Sequence, residues 1–209
     1  AMLNKGELHL TKLSELEDPF EGVHPPKVRA TMTKLMQRGS PIQLESELMR
    51  ATTYVSCWCM QPHESEALWR IYGGSSGVAV RTRYSRLANV LPSNTPYGSV
   101  FMGQIQYLNP ETADTPMWNA LSLPMWKRHF FQHEQECRVV VWGAARKGHN
   151  TRLGNAQEWP SSMTIPIRVR GVIEDVVTSP LAPKWFHDCV KAVVDKFEPG
   201  LSISCSGML

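Results

Sequence analysis

Residues 53–60 read Thr-Tyr-Val-Ser-Cys-Trp-Cys-Met, a run without a single charge that is dominated by β-branched and aromatic side chains. Branched and aromatic side chains lose rotamer freedom on a helix and fit a pleated surface, and an uncharged run fits a strand covered on both faces. Such a strand belongs in the centre of a sheet. Residues 137–142, Cys-Arg-Val-Val-Val-Trp, give a second strong strand signal. Any fold for this chain must therefore bury a sheet, and the helices have to be placed around it.

Periodicity and turn residues supply the other elements. Strands are expected at 8–13, 77–81, 99–107, 164–169, 173–178 and 201–205, each bounded by Gly, Pro or polar turn residues. At 27–37 the apolar residues Val28, Met32, Leu35 and Met36 recur at helical spacing, with Gly39 as a stop. Further helices are expected at 42–50, 65–72, 84–90 and 183–197, the last with Pro183 in its first turn. Residues 126–133 read as helical or irregular, and 109–123 and 144–161 as long loops, which in compact domains often carry function. No internal repeat or linker is visible, and 209 residues fit one domain. The expected fold is a single α+β domain over 1–209, with mixed, mainly antiparallel sheets and flanking helices.

Composition excludes several classes. With 42% hydrophobic and 20% charged residues the chain is globular rather than disordered. No apolar run approaches the roughly 20 residues of a spanning helix. Lys5, Glu7 and His9 interrupt the N-terminal stretch where a signal peptide needs an apolar core, so a cytoplasmic protein is expected. The five cysteines, Cys57, Cys59, Cys137, Cys189 and Cys205, lack the spacing of a disulfide framework or zinc knuckle and are expected to be reduced core residues, with no metal bound. A net charge of +3 gives no indication of nucleic acid binding. Partners and oligomeric state stay open.

Four segments resemble one bacterial family, the domain of unknown function 2971. Asp18-Pro19-Phe20-Glu21-Gly22 is similar to the family's Asn-Asp-Pro-Phe-Glu turn, with Glu17 where Asn is usual. Val55-Ser56-Cys57-Trp58, then Leu68-Trp69-Arg70-Ile71-Tyr72 and Gly77-Val78-Ala79-Val80, resemble its strand, Met-Trp-x-x-Tyr helix and glycine-led strand. Gln106-Tyr107 sits where a family strand ends in Tyr. Lys127, Phe131, His133, Glu134, Glu136 and Arg138 follow its Lys, Trp, Tyr-Glu-x-Glu-x-Arg spacing, with Phe131 for Trp and His133 for Tyr. The resemblance implies a bacterial cytoplasmic protein of α+β fold, of a kind common on mobile elements, and implies no settled activity. The family often begins with a Tyr-x-Tyr-Arg strand that these residues do not include; if that Arg serves the family's site, the chain either lacks it or supplies another basic residue such as Arg81 or Arg83.

The marked residues point to one site: Ser56, Glu134 and Glu136 as catalytic groups, with Lys127, Arg138, Trp126, Asp18 and Glu21 as binding groups. In an extended segment Glu134, Glu136 and Arg138 would share one sheet face, so that like and opposite charges perturb one another. Three readings stay open. Ser on a central strand with Glu-x-Glu ahead of another resembles the layout of ADP-ribosyltransferases, which implies NAD as co-substrate, Glu136 stabilising an oxocarbenium ion and Glu134 activating the acceptor. Asp18, Glu21, Glu134 and Glu136 with Lys127 also suit a Mg²⁺-dependent phosphodiesterase or nuclease, because hard cations take carboxylate oxygens. The third reading is a non-enzymatic partner-binding or defence module whose charges form a structural ion-pair network. His129 and His133, four apart, are expected to line a surface or site. Trp58 and Trp69 are expected in the core, and Trp118 and Trp126 beside a ligand.

Overall fold

The fold comes from a computed structural model that describes residues 2–35, 42–113, 120–143 and 159–208. Gly39, Trp118 and most of the 144–161 loop lie outside these described residues. In chain order the strands are β1 (Glu7–Lys12), β2 (Thr53–Cys59), β3 (Val78–Thr82), β4 (Asn94–Thr95), β5 (Gly98–Gln104), β6 (Gln106–Leu108), β7 (Trp126–Arg128), β8 (Glu136–Trp142), β9 (Ser162–Pro166), β10 (Ile173–Thr178) and β11 (Ser202–Cys205). The helices are α1 (Met2–Lys5), α2 (Pro26–Leu35), α3 (Ile42–Thr52), α4 (Glu66–Leu68), α5 (Tyr84–Val90) and α6 (Lys184–Phe197). This is an α+β fold with mainly antiparallel sheets, and its backbone groups find their partners as follows.

The chain divides into two compact units, His9–Met60 with Pro92–Thr164, and Ala1–Leu8 with Gln61–Leu91 and Ile165–Leu209. The first is organised by a six-stranded sheet of order β4-β5-β8-β2-β1-β9. The uncharged run forms β2, and it is central as its composition requires, antiparallel to β8 on one side and to β1 on the other. Only its first half is covered on both faces: Thr53, Tyr54 and Val55 are buried, whereas Cys57 and Cys59 are exposed. β8 is buried along its length apart from its last residue. Leu13, Val55 and Val140 close the core on one face, with Leu16 and Met125 against them. Gly98 starts β5 at φ 148, and a Cβ there would run into the carbonyl of Trp142, so only glycine lets β5 approach β8 so closely. β6 and β7 form a separate parallel pair. Residues 126–128 thus make a short strand rather than a helix, and His129–Glu134 a 3-10 helix behind it.

In the second unit β10 lies between β11, parallel to it, and β3, antiparallel. The amphipathic α6 packs on β11. The expected helix at 65–72 is broken in two, α4 running into a π turn at Trp69–Gly73. Ser65 caps it, its hydroxyl accepting from the Leu68 amide.

The cysteines correct one expectation. None forms a disulfide, as expected, but only Cys137 is buried and the other four are exposed. Among the described residues no helix is long and apolar enough to cross a membrane.

Candidate functional site

The marked charges converge within the unit built on the six-stranded sheet. Register decides which of them share a face, because directly paired residues point the same way. Cys59 pairs with Glu136, Cys57 with Arg138 and Val55 with Val140. One face of the β2–β8 pair therefore runs from apolar core into a charged end. The turn at 18–22 brings Glu21 to that end. Gly22 allows the turn, at φ 72 and packed so tightly on Leu13 and Arg50 that a Cβ would overlap both.

Arg138 is the centre. It is 0% exposed and holds Glu136 with both arms of a fork, Nε to Oε1 at 2.5 Å and Nη2 to Oε2 at 3.1 Å. Its Nη2 also contacts Glu21 Oε2, and its Nη1 donates to the Pro124 carbonyl at 2.9 Å. Lys127 closes the other side, with Nζ 2.6 Å from Glu134, 3.4 Å from Glu21 and 3.6 Å from Glu136. Three carboxylates thus surround two cations, and all five side chains are buried. The ammonium also lies 4.6 Å from the Phe131 ring centroid.

Glu134 arrives by a route the alternation argument does not foresee. It ends the 3-10 helix, and Gln135, at φ 43 in the left-handed region, separates it from β8. The two glutamates are not successive same-face residues of one strand. They meet because Lys127 bridges them.

The electrostatics follow from burial. Desolvation opposes the charge on Arg138 and Lys127, yet the surrounding carboxylates hold both cations above their usual values. Desolvation opposes Glu136 as well, but the Arg138 fork, the Cys57 thiol and Lys127 keep its carboxyl below the usual range. At Glu21 desolvation outweighs the pull of Arg138 and Lys127, and its carboxyl is raised. A second ion pair borders the cluster. Arg128 Nε and Nη2 reach Asp18 at 3.2 and 3.1 Å, and the Arg128 guanidinium stacks 4.7 Å from the Phe20 ring centroid. Asp18 also accepts from the Phe20 amide at 3.0 Å, the local turn role its Pro neighbour implies.

Two expected site residues lie elsewhere. Ser56 pairs with Val139, so it faces the opposite side of the sheet from Glu136 and Arg138. Trp126 is 1% exposed and belongs to the core, where no ligand can stack on it. Of the histidines, His133 is at the surface and His129 packs against the Phe130 ring; on a 3-10 helix of about three residues per turn, positions four apart diverge. The structure adds Cys57, Tyr107, whose hydroxyl accepts from the Glu136 amide at 2.7 Å, and Arg128. Alternation along β2 carried a signal for Cys57, and the strand-ending Tyr one for Tyr107. Arg128 carried none.

Neither a family model, nor a curated protein, nor a solved structure matches the chain. Geometry alone therefore bears on function. Among the described residues no group of three or more His, Cys, Asp and Glu side chains is disposed to hold a metal ion. Where three carboxylates do converge, the Lys127 ammonium occupies their focus.

Proposed function

We propose that the chain is a non-enzymatic, partner-binding module and that its charged cluster is a structural network. One observation carries this reading: Glu136, 3% exposed, is held by the fully buried Arg138, so the carboxylate that chemistry would require is committed to an internal partner. The network fastens the turn at 18–22 and the 3-10 helix at 129–134 from beneath. These two segments carry Phe20 and Phe130, the latter 66% exposed, and Arg128 stacks between Phe20 and Phe131. Aromatic and arginine side chains held on a rigid support lose little entropy on association, which suits a protein-recognition surface.

A second reading, ADP-ribosyl transfer from NAD, keeps one support. The Glu-x-Glu segment leads into β8, which lies directly beside the Ser-bearing β2. That reading needs Glu136 released from Arg138 and a hydroxyl other than that of Ser56, which faces away.

Thermal unfolding of wild type and Glu136→Gln, with and without NAD and Mg²⁺, separates the readings. On the structural reading the variant loses about 1–3 kcal/mol and neither ligand shifts either protein. A ligand present at 100 times its Kd stabilises by about 2.7 kcal/mol. An NAD-induced rise of that size in wild type, absent from an equally stable Glu136→Gln, would overturn the proposal in favour of the transferase. The same pattern with Mg²⁺ alone would favour the nuclease.

A further inference from the structure

The unit built on β3, β10 and β11 carries a second cluster of reactive side chains. Parallel pairing sets Thr178, the last residue of β10, opposite Cys205, the last of β11, so both point to one face. His187, from the first turns of α6, reaches both. Its Nδ1 lies 3.2 Å from Cys205 Sγ and 3.0 Å from Thr178 Oγ1. Thr178 Oγ1 in turn lies 3.4 Å from the Ser204 carbonyl oxygen. The threonine is fully buried and fixed, whereas Cys205 is open to solvent. A nucleophile within hydrogen-bonding reach of a base, with a third group orienting that base, is the arrangement that activates thiols and hydroxyls.

The hydrogen-bond inventory closes in both protonation states. With the imidazole neutral and its proton on Nε2, Nδ1 accepts from the Cys205 thiol and shares the Thr178 hydroxyl, which lies closer to it than to the Ser204 carbonyl. Once the thiol proton has crossed to Nδ1, the N–H points between the thiolate and the threonine oxygen, and the hydroxyl hydrogen turns to the Ser204 carbonyl. No heavy atom has to move. Of the other charges on β10 and α6, Lys184 pairs with Asp188, Lys191 with Asp195, Glu174 with Arg83 and Arg86, and Asp175 with Arg81 and the Ser204 hydroxyl, while Lys196 lies over the Phe197 ring.

We infer that Cys205 is a nucleophilic thiol with His187 as its general base, and that it is a site of covalent modification by low-molecular-weight disulfides. The thiol proton passes to His187 Nδ1 and Cys205 Sγ attacks one sulfur of the incoming disulfide. A new S–S bond forms, the old one breaks, and the departing thiolate takes the proton from the imidazolium. One disulfide is exchanged for another, so no further oxidant is consumed. Cys57 offers the contrast: although the residue is exposed at the surface, desolvation of its thiol against the Arg138–Glu136 pair, with the Glu136 carboxylate adding to it and Arg138 opposing, pushes the thiol up. Cys189, exposed on α6, is the reference thiol.

The test treats the folded chain with glutathione disulfide at pH 7 and follows mixed-disulfide formation at each cysteine by peptide mass spectrometry. Cys205 should react roughly tenfold faster than Cys189, less than the hundredfold or more that a general base gives inside an enzyme site, because Cys205 stands in solvent. His187→Gln should bring the Cys205 rate down to that of Cys189 while leaving Cys189 unchanged. Equal rates at Cys205 and Cys189 in wild type would overturn the inference, and so would a Cys205 rate unaffected by His187→Gln in a folded variant. Should His187→Gln fail to fold, the wild-type ratio of the two rates decides alone.

Discussion

Of the two cations that touch both Glu136 and Glu21, Arg138 and Lys127, replacing Arg138 by Met removes the more deeply buried. Methionine approximates the length of the aliphatic stem, so packing changes little and the loss is electrostatic. In wild type Arg138 supplies two hydrogen bonds to Glu136, a contact to Glu21 and one bond to the Pro124 carbonyl, all at a position with no solvent exposure. In the variant three carboxylates share the single ammonium of Lys127, which already stands 3.4 and 3.6 Å from Glu21 and Glu136 and is closest to Glu134. Removing one partner from a buried pair costs about 3–5 kcal/mol, because the stranded charge has no water to turn to. For a chain of this length each kcal/mol corresponds to roughly 2–4 °C in Tm, so a fall of about 6–20 °C is expected. Proton uptake by Glu21 or Glu136 relieves the strain, so the deficit measured by urea unfolding should shrink between pH 7 and pH 5. The triple variant Glu21→Gln, Glu136→Gln, Arg138→Met should recover much of the loss, since a buried ionic cluster replaced as a whole is often close to neutral. A deficit for Arg138→Met within about 1 kcal/mol of wild type at pH 7, the range of exposed ion pairs, would refute the claim that the network is buried and structural.

Three further outcomes follow from the same contacts. The Glu136 carboxyl is depressed in the folded state, so its stabilisation is present above the ordinary glutamate range and disappears as pH falls through the folded value; Glu21, raised, works in the opposite sense. Urea unfolding at pH 7 and pH 3 should therefore show a smaller acid-induced loss in Glu136→Gln than in wild type, and an identical loss would remove Glu136 from the account. Gly98→Ala combines a left-handed φ with a collision against the Trp142 carbonyl, and should lower stability by about 2 kcal/mol or more in denaturant titrations. Asp18→Ala leaves Arg128 and the Phe20 amide without their acceptor and should cost about 1–2 kcal/mol, with calorimetry as the check.

The sheet was legible where side-chain chemistry is local. β2 and β8 announce themselves through uncharged or β-branched runs, and β10 and α6 fall within a residue of the expected bounds. β7 did not, because three residues, two of them basic, carry no periodicity; its partner β6 supplies the reason for the strand. The site was legible as a set of residues more than as a geometry. Glu21, Lys127, Glu134, Glu136 and Arg138 do gather, but the face on which Ser56 falls depends on the register between β2 and β8, a non-local quantity that one strand's sequence does not contain. The left-handed turn at Gln135 was equally hidden, since glutamine is not a residue that advertises a positive φ.

The members of the network come from distant parts of the chain: Arg128 reaches back 110 positions to Asp18. Glu21 reaches Lys127 and the buried Arg138 only when the 18–22 turn has been brought onto β8 and β7, and only then do those buried charges lose the rest of their hydration. Contacts of this separation are costly to close early; the expectation is that they form late, so that Arg138→Met changes the unfolding rate more than the folding rate in a chevron plot. Interactions absent from the transition state act on the return journey instead, slowing unfolding. The cluster thus works as a latch on the lifetime of the folded molecule rather than as a guide to reaching it.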